Sequence, residues 1–212
     1  MVPYDLELLA IALALILAYL LGSIPAAYLA GRLIKGIDIR QVGTRNMGAM
    51  NVFYQVGFLA GLIVLVVDIG KGTAAIALAF WLGTPDIVVL LAGIAAVLGH
   101  SFPVWLRFRG GKGGATTIGV LIFLMPWGIP IGLAIFGLVL LLSRFPTLSY
   151  SVALVSFPFV AWLIYHDGVL VAYTIALLLI PALQYIPRVK EIRSRSGSWR
   201  SALLRKNIKD RM

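Results

Sequence analysis

The chain has 212 residues, 61% of them hydrophobic and 12% charged, with a formal net charge of +10. A soluble domain carries roughly 25% charged residues, so this composition cannot cover a globular surface and predicts a membrane protein. Cysteine is absent and His100 and His166 are the two histidines. That excludes disulfides, thiolate nucleophiles and Cys-ligated metals, and neither a metal nor a cofactor is expected.

A spanning helix needs about 20 mostly apolar residues. Apolar blocks run over residues 6–31, 52–82, 87–106, 115–142, 147–165 and 168–186. The first is expected as one retained helix, because it lacks a basic leader and a small-residue cleavage site. Lys and Arg collect in residues 32–45 and 107–112, at Arg144, and in residues 188–211. Basic loops face the cytoplasm, and all of these fall on one side only if the block 115–142 breaks near Pro126 and Pro130. The expected fold is an all-α polytopic bundle of about seven transmembrane helices, some of them short, with the N-terminus outside. Residues 1–187 form one membrane domain and residues 188–212 a basic cytoplasmic tail. Trp105, Trp127, Trp162, Tyr165 and Tyr185 fall near predicted helix ends, as an aromatic belt would.

Chemistry is therefore expected in the cytoplasmic loops, at a multi-pass cell membrane. The first loop, GIDIRQVGTRNMGAMNVFYQVG at residues 36–57, carries Asp38, Arg40, Thr44, Arg45, Asn46 and Asn51. Amides and hydroxyls there suit a polyol or phosphate, while Asp38 and Arg40 are expected to pair with each other or with the loop backbone. In the next block Asp68 and Lys71 stand one turn apart in apolar sequence. Such a pair reads as a structural ion pair or as a lining of the site. His100 is a candidate acid, base or loop tether.

The sharpest signal is GHSFPVWLRFRGGKGGATTIG at residues 99–119. Gly110, Gly111, Gly113 and Gly114 surround Lys112, followed by Thr116 and Thr117. Glycines let successive N–H groups face one concavity, and a lysine and hydroxyls at a helix start complete a phosphate cradle. It is not a Walker loop, since Gly113 follows Lys112 where Ser or Thr is required. The tail holds nine basic residues from Arg188 onward, suited to anionic lipid; no motif supports nucleic-acid binding.

Together GSIPAAYL (22–29), GIDIR (36–40), NMGAMNV (46–52), DIGKG (68–72), GHSFP (99–103) and FRGGKGGAT (108–116) make the sequence resemble the bacterial acyl-phosphate:glycerol-3-phosphate acyltransferases, the PlsY family. The resemblance implies an integral enzyme that moves an acyl group from acyl phosphate to the 1-hydroxyl of glycerol 3-phosphate. Lysophosphatidic acid and phosphate would leave, without acyl-CoA or acyl carrier protein. It implies that Gly110, Gly111, Lys112, Gly113, Gly114 and Thr116 bind phosphate and that Thr44 replaces a family serine. Asn46 and Asn51 would shape the acceptor site, and Asn207 would match a third-motif asparagine.

Tyr54 stands where the family has arginine, Leu204 where it has histidine, and the chain stops at Met212, before an expected glutamate. Arg45, at a family glycine, would return the lost positive charge. The alternative expectation is an impaired or altered-acceptor homologue that binds phosphate or lipid as a membrane partner protein.

Overall fold

The computed structural model describes residues 4–196, all of its regular elements helical. In chain order they are α1 (Tyr4–Gly22), α2 (Ala26–Lys35), α3 (Ala49–Gln55), α4 (Phe58–Trp81), α5 (Asp86–Ser101), α6 (Gly114–Leu124), α7 (Gly128–Ser143), α8 (Pro146–Val155), α9 (Phe157–Leu163) and α10 (Gly168–Ser196). Five apolar stretches are long enough to cross a bilayer: Tyr4–Lys35, Phe58–Trp81, Asp86–Leu106, Pro146–Leu163 and Gly168–Pro187. Two shorter apolar helices, α6 and α7, lie between them.

Several of the predicted blocks are interrupted. The first, expected as one helix over 6–31, ends at Gly22 and restarts at Ala26. Pro25 has no N–H and pushes Ile24 out of the helical region; the Ile24 carbonyl then accepts from Ala26 N–H at 3.1 Å and keeps a lone pair for a further donor. The second block breaks at Gly57, whose φ of 150° only glycine adopts readily. The fifth is jogged at Ser156, just before Pro158. The break expected in 115–142 falls at residues 125–127, where Pro126 again removes a donor. Gly36 closes α2 at φ 67°, its N–H reaching the Arg32 carbonyl while Ile37 N–H reaches Gly31.

The 11 residues of α6 span about 16 Å, roughly half of a hydrocarbon core of about 30 Å. This helix is shielded by α4. A Cβ added to Gly72 would meet the Thr116 backbone, and one added to Gly119 would meet that of Ile69. Thr73 Oγ1 donates to the Gly119 carbonyl at 2.7 Å across the same seam. Small residues (Ala14, Ala18, Ala75, Ala79, Ala92 and Ala96) fill the core between α1, α4, α5 and α6. Close backbone approach substitutes for a hydrophobic drive that lipid would not supply. Outward, Ile16, Ile63, Val66, Leu141 and Leu142 are exposed, as a lipid-facing surface requires. A second core of Ile39, Met47, Val52, Val56 and Val64 folds the first loop onto α4.

Candidate active site

Each loop is built from its own sequence, and the two then meet. In the first loop Asn51 is buried and its carboxamide is fully engaged. Its Nδ2 donates to the carbonyls of Ile39 (2.8 Å), Val42 (3.0 Å) and Asn46 (3.1 Å), and its Oδ1 accepts from Thr44 N–H at 3.0 Å. Asn51 thus organises the loop from within. Thr44 Oγ1 accepts from Asn46 N–H at 3.4 Å, so Thr44 and Asn46 share one turn beside half-open surface. Arg45 is exposed at φ 57°.

Arg40 clasps Asp38 with two hydrogen bonds, Nε to Oδ1 at 3.0 Å and Nη2 to Oδ2 at 2.8 Å. Its Nη1 reaches the carbonyls of Leu106 and Arg109 in the second loop at 3.5 Å. The Arg40 side-chain hydrogen bond holds the Asp38 carboxyl below its ordinary value, against the opposing effect of burial. Asp38 raises the Arg40 guanidinium in return. The expected pairing is present, and its function here is to staple one loop to the other.

The second loop folds back on the end of α5: Gly110 and Gly111 donate to the carbonyls of Ser101 and His100, each at 3.1 Å. Those two amides are therefore spent inside the loop and do not face a common concavity as the sequence suggested. The donors left without an intrahelical acceptor are the first-turn amides of α6, the kind of helix start that suits an anion. Gly113 precedes them at φ 82°. Thr117 Oγ1 is tied to the Gly113 carbonyl at 3.1 Å, whereas Thr116 Oγ1 is buried without a hydrogen-bond partner among the described residues.

Beneath the loop lies a buried ionic cluster. Lys71 Nζ is 2.9 Å from Asp68 Oδ1, both side chains 2% exposed, and donates to the Ile24 carbonyl at 3.0 Å. The Ile24 carbonyl beside Pro25 thus helps solvate a lysine whose charge Asp68 balances. His100 Nδ1 lies 3.5 Å from Asp68 Oδ1 without a well-formed hydrogen bond. A Cβ on Gly111 would strike both His100 Nε2 and the Met47 carbonyl. The first loop, the second loop and the cluster therefore touch at Gly111.

Asp68 Oδ2, His100 Nδ1, Ser101 Oγ, Thr116 Oγ1 and Tyr150 OH are all buried without a partner among the described residues. Buried polar groups are nearly always bonded, so their concentration under one loop suits a polar ligand. Ser101 abuts Gly113, and Tyr150 of α8 abuts Gly114. Neither stands out in the sequence: Ser101 merely follows His100 in GHSFP, and nothing near Tyr150 marks it. Tyr185 of α10, whose ring centroid lies 3.6 Å from Lys112 Nζ, does not stand out either. Asn207 and Leu204 lie outside the described residues.

The chain has relatives of known family. The family model described as glycerol-3-phosphate acyltransferase matches residues 12–195. The chain belongs to that family. Glycerol-3-phosphate acyltransferase 2 of Dehalococcoides mccartyi is 53% identical over 208 residues, covering 97% of this chain and 99% of the relative. The glycerol-3-phosphate acyltransferase of Bacillus subtilis is 50% identical over 139 residues, 66% of this chain and 72% of the relative. The crystal structure of PlsY, an integral membrane glycerol 3-phosphate acyltransferase, in its glycerol 3-phosphate form superposes with a TM-score of 0.79 at 29% identity, covering 88% of this chain and 92% of that one. Its lysophosphatidic acid form gives 0.77 at 27% identity, covering 92% and 99%. The family expected from the motifs is the family found, and the chain is an acyltransferase of integral membrane type.

Proposed function

We propose that the protein transfers a fatty acyl group from acyl phosphate to the 1-hydroxyl of glycerol 3-phosphate, releasing lysophosphatidic acid and inorganic phosphate for phospholipid synthesis. The observation that carries this is the Lys112 ammonium among four glycines at the start of α6, stapled by Arg40 to the polar first loop. An acyl phosphate has an apolar chain for lipid and an anionic head for such a loop. It is also a mixed anhydride with a good leaving group, so positioning and charge neutralisation suffice without a protein nucleophile. The 1-hydroxyl oxygen attacks the acyl carbon, the carbon–oxygen bond to phosphate breaks, and the departing phosphate takes the proton.

In this reading Lys112, the α6 amides and Thr116 hold the donor phosphate. Thr44, Arg45 and Asn46 face the acceptor. Asn51, Asp38 and Arg40 shape the loops; Asp68, Lys71 and His100 support them from below. The chain crosses the membrane seven times if α6 and α7 each count, with the N-terminus outside. Residues 1–187 then form the membrane domain, and residues 188–212 a cytoplasmic tail on anionic lipid. The site faces the cytoplasm, where a dianionic acceptor arrives.

Purified protein given palmitoyl phosphate and glycerol 3-phosphate should form lysophosphatidic acid and phosphate by mass spectrometry, and Lys112→Ala should remove both products. No product with any polyol phosphate, alongside retained phosphate binding, would instead establish the silent homologue that Tyr54 favours.

A further inference from the structure

We infer that Tyr185 is a positioning residue for Lys112: its ring is the seat that holds the ammonium over the site. Lys112 stands on a backbone of glycines, with no neighbouring side chain at 110, 111, 113 or 114 to restrict it. A lysine stem has four rotatable carbons, and a loop without Cβ atoms does nothing to choose among its rotamers. The face of Tyr185 offers the ammonium a place to rest. At 3.6 Å from the ring centroid, Nζ sits well inside the range of about 6 Å for attraction by a ring quadrupole.

The ring is carried on a helix anchored to its neighbour. Tyr185 lies on α10, which is bound to α5 further up by Tyr173 OH donating to the Leu90 carbonyl at 2.8 Å. From Tyr173 to Tyr185 α10 runs about 18 Å toward the loop end of α5. The sequence pattern assigned Tyr185 to an interfacial belt; its place under Lys112 gives it a task that a belt tyrosine lacks. An ammonium resting on a ring face still has N–H donors free to serve an anion on its other side.

This inference rests on Lys112 serving the transfer reaction, and its test separates the two. Tyr185→Phe keeps the ring, Tyr185→Leu removes it, and Tyr185→Met stands in should the leucine variant not fold. Two readouts are taken: kcat and KM with palmitoyl phosphate and glycerol 3-phosphate, and the rate of reductive methylation at Lys112 by peptide mass spectrometry. Loss of the ring should lower kcat about 2- to 30-fold with a smaller change in KM, and should speed Lys112 methylation. The phenylalanine variant should recover both. Leucine and methionine variants matching wild type in both readouts would overturn the seat, as would a phenylalanine variant as impaired as leucine. If Lys112→Ala remains fully active the acyl-transfer reading of Lys112 falls, while the methylation rates still decide whether the ring holds the amine.

Discussion

Asn51 spends one carboxamide on four backbone groups, and the first loop depends on it. Asn51→Ala would leave those buried groups unpaired, at a cost of about 1–3 kcal/mol for each one that finds no water. Expected is a lower unfolding midpoint together with a rise in KM for glycerol 3-phosphate; a change in neither would remove Asn51 from the loop's framework. Asp38 supplies a pH signature. Its carboxyl is depressed below the reference value of 3.8 by the hydrogen bond from Arg40. A depressed acid contributes stability that is complete above its unfolded pKa and is lost as pH falls through the folded one. Proteolytic nicking of the loop should thus be constant from pH 7 to about 4 and increase below that. Asp38→Asn should nick readily at neutral pH and show no acid step. Tyr54 is 45% exposed on α3, where the family resemblance places an arginine. Tyr54→Arg should lower the KM for glycerol 3-phosphate about tenfold or more, since a charged hydrogen bond contributes about 1.5–3 kcal/mol. An unchanged KM would mean that this position does not meet the acceptor.

At the scale of elements, a helix break and an ion pair are one feature. Pro25 interrupts the first span, Ile24 offers its carbonyl, and Lys71 of α4 takes it while pairing with Asp68. Removing one partner from a buried pair is far worse than removing both. Asp68→Ala should therefore destabilise the protein by about 3–5 kcal/mol, seen as a fall in the thermal midpoint in detergent. Asp68→Leu combined with Lys71→Met should recover most of that loss, and equal damage from the single and double variants would contradict the account. The short α6 makes a related point. It is too brief to span alone, and the glycines at 72 and 119 let α4 cover it at backbone distance.

For the whole molecule, the arrangement requires both loops at one membrane face. Because the chain has no cysteine, single cysteines report topology directly. Arg109→Cys, in the second loop, should react with an impermeant maleimide only after inverted vesicles expose the cytoplasmic side. Trp127→Cys, in the turn between α6 and α7, should react from the outside. Labelling of both from the same side would break the seven-span reading.

Composition and the positive charges were enough to read a membrane bundle, because lipid leaves few options for backbone polar groups. The glycine–lysine loop, the Asp38–Arg40 pair and the family were equally legible, since each is carried by residues close in sequence. The interruptions at Pro25 and Gly57 lay in plain view but were overridden by continuous hydropathy, which is insensitive to a single lost donor or a glycine-only φ. What the sequence could not give was contact between distant elements: Ile24 with Lys71, Met47 and His100 with Gly111, Tyr150 with Gly114, Tyr185 with Lys112. Those partners are set by how helices cross, and helix crossing is decided by three-dimensional packing, which no local pattern of residues encodes.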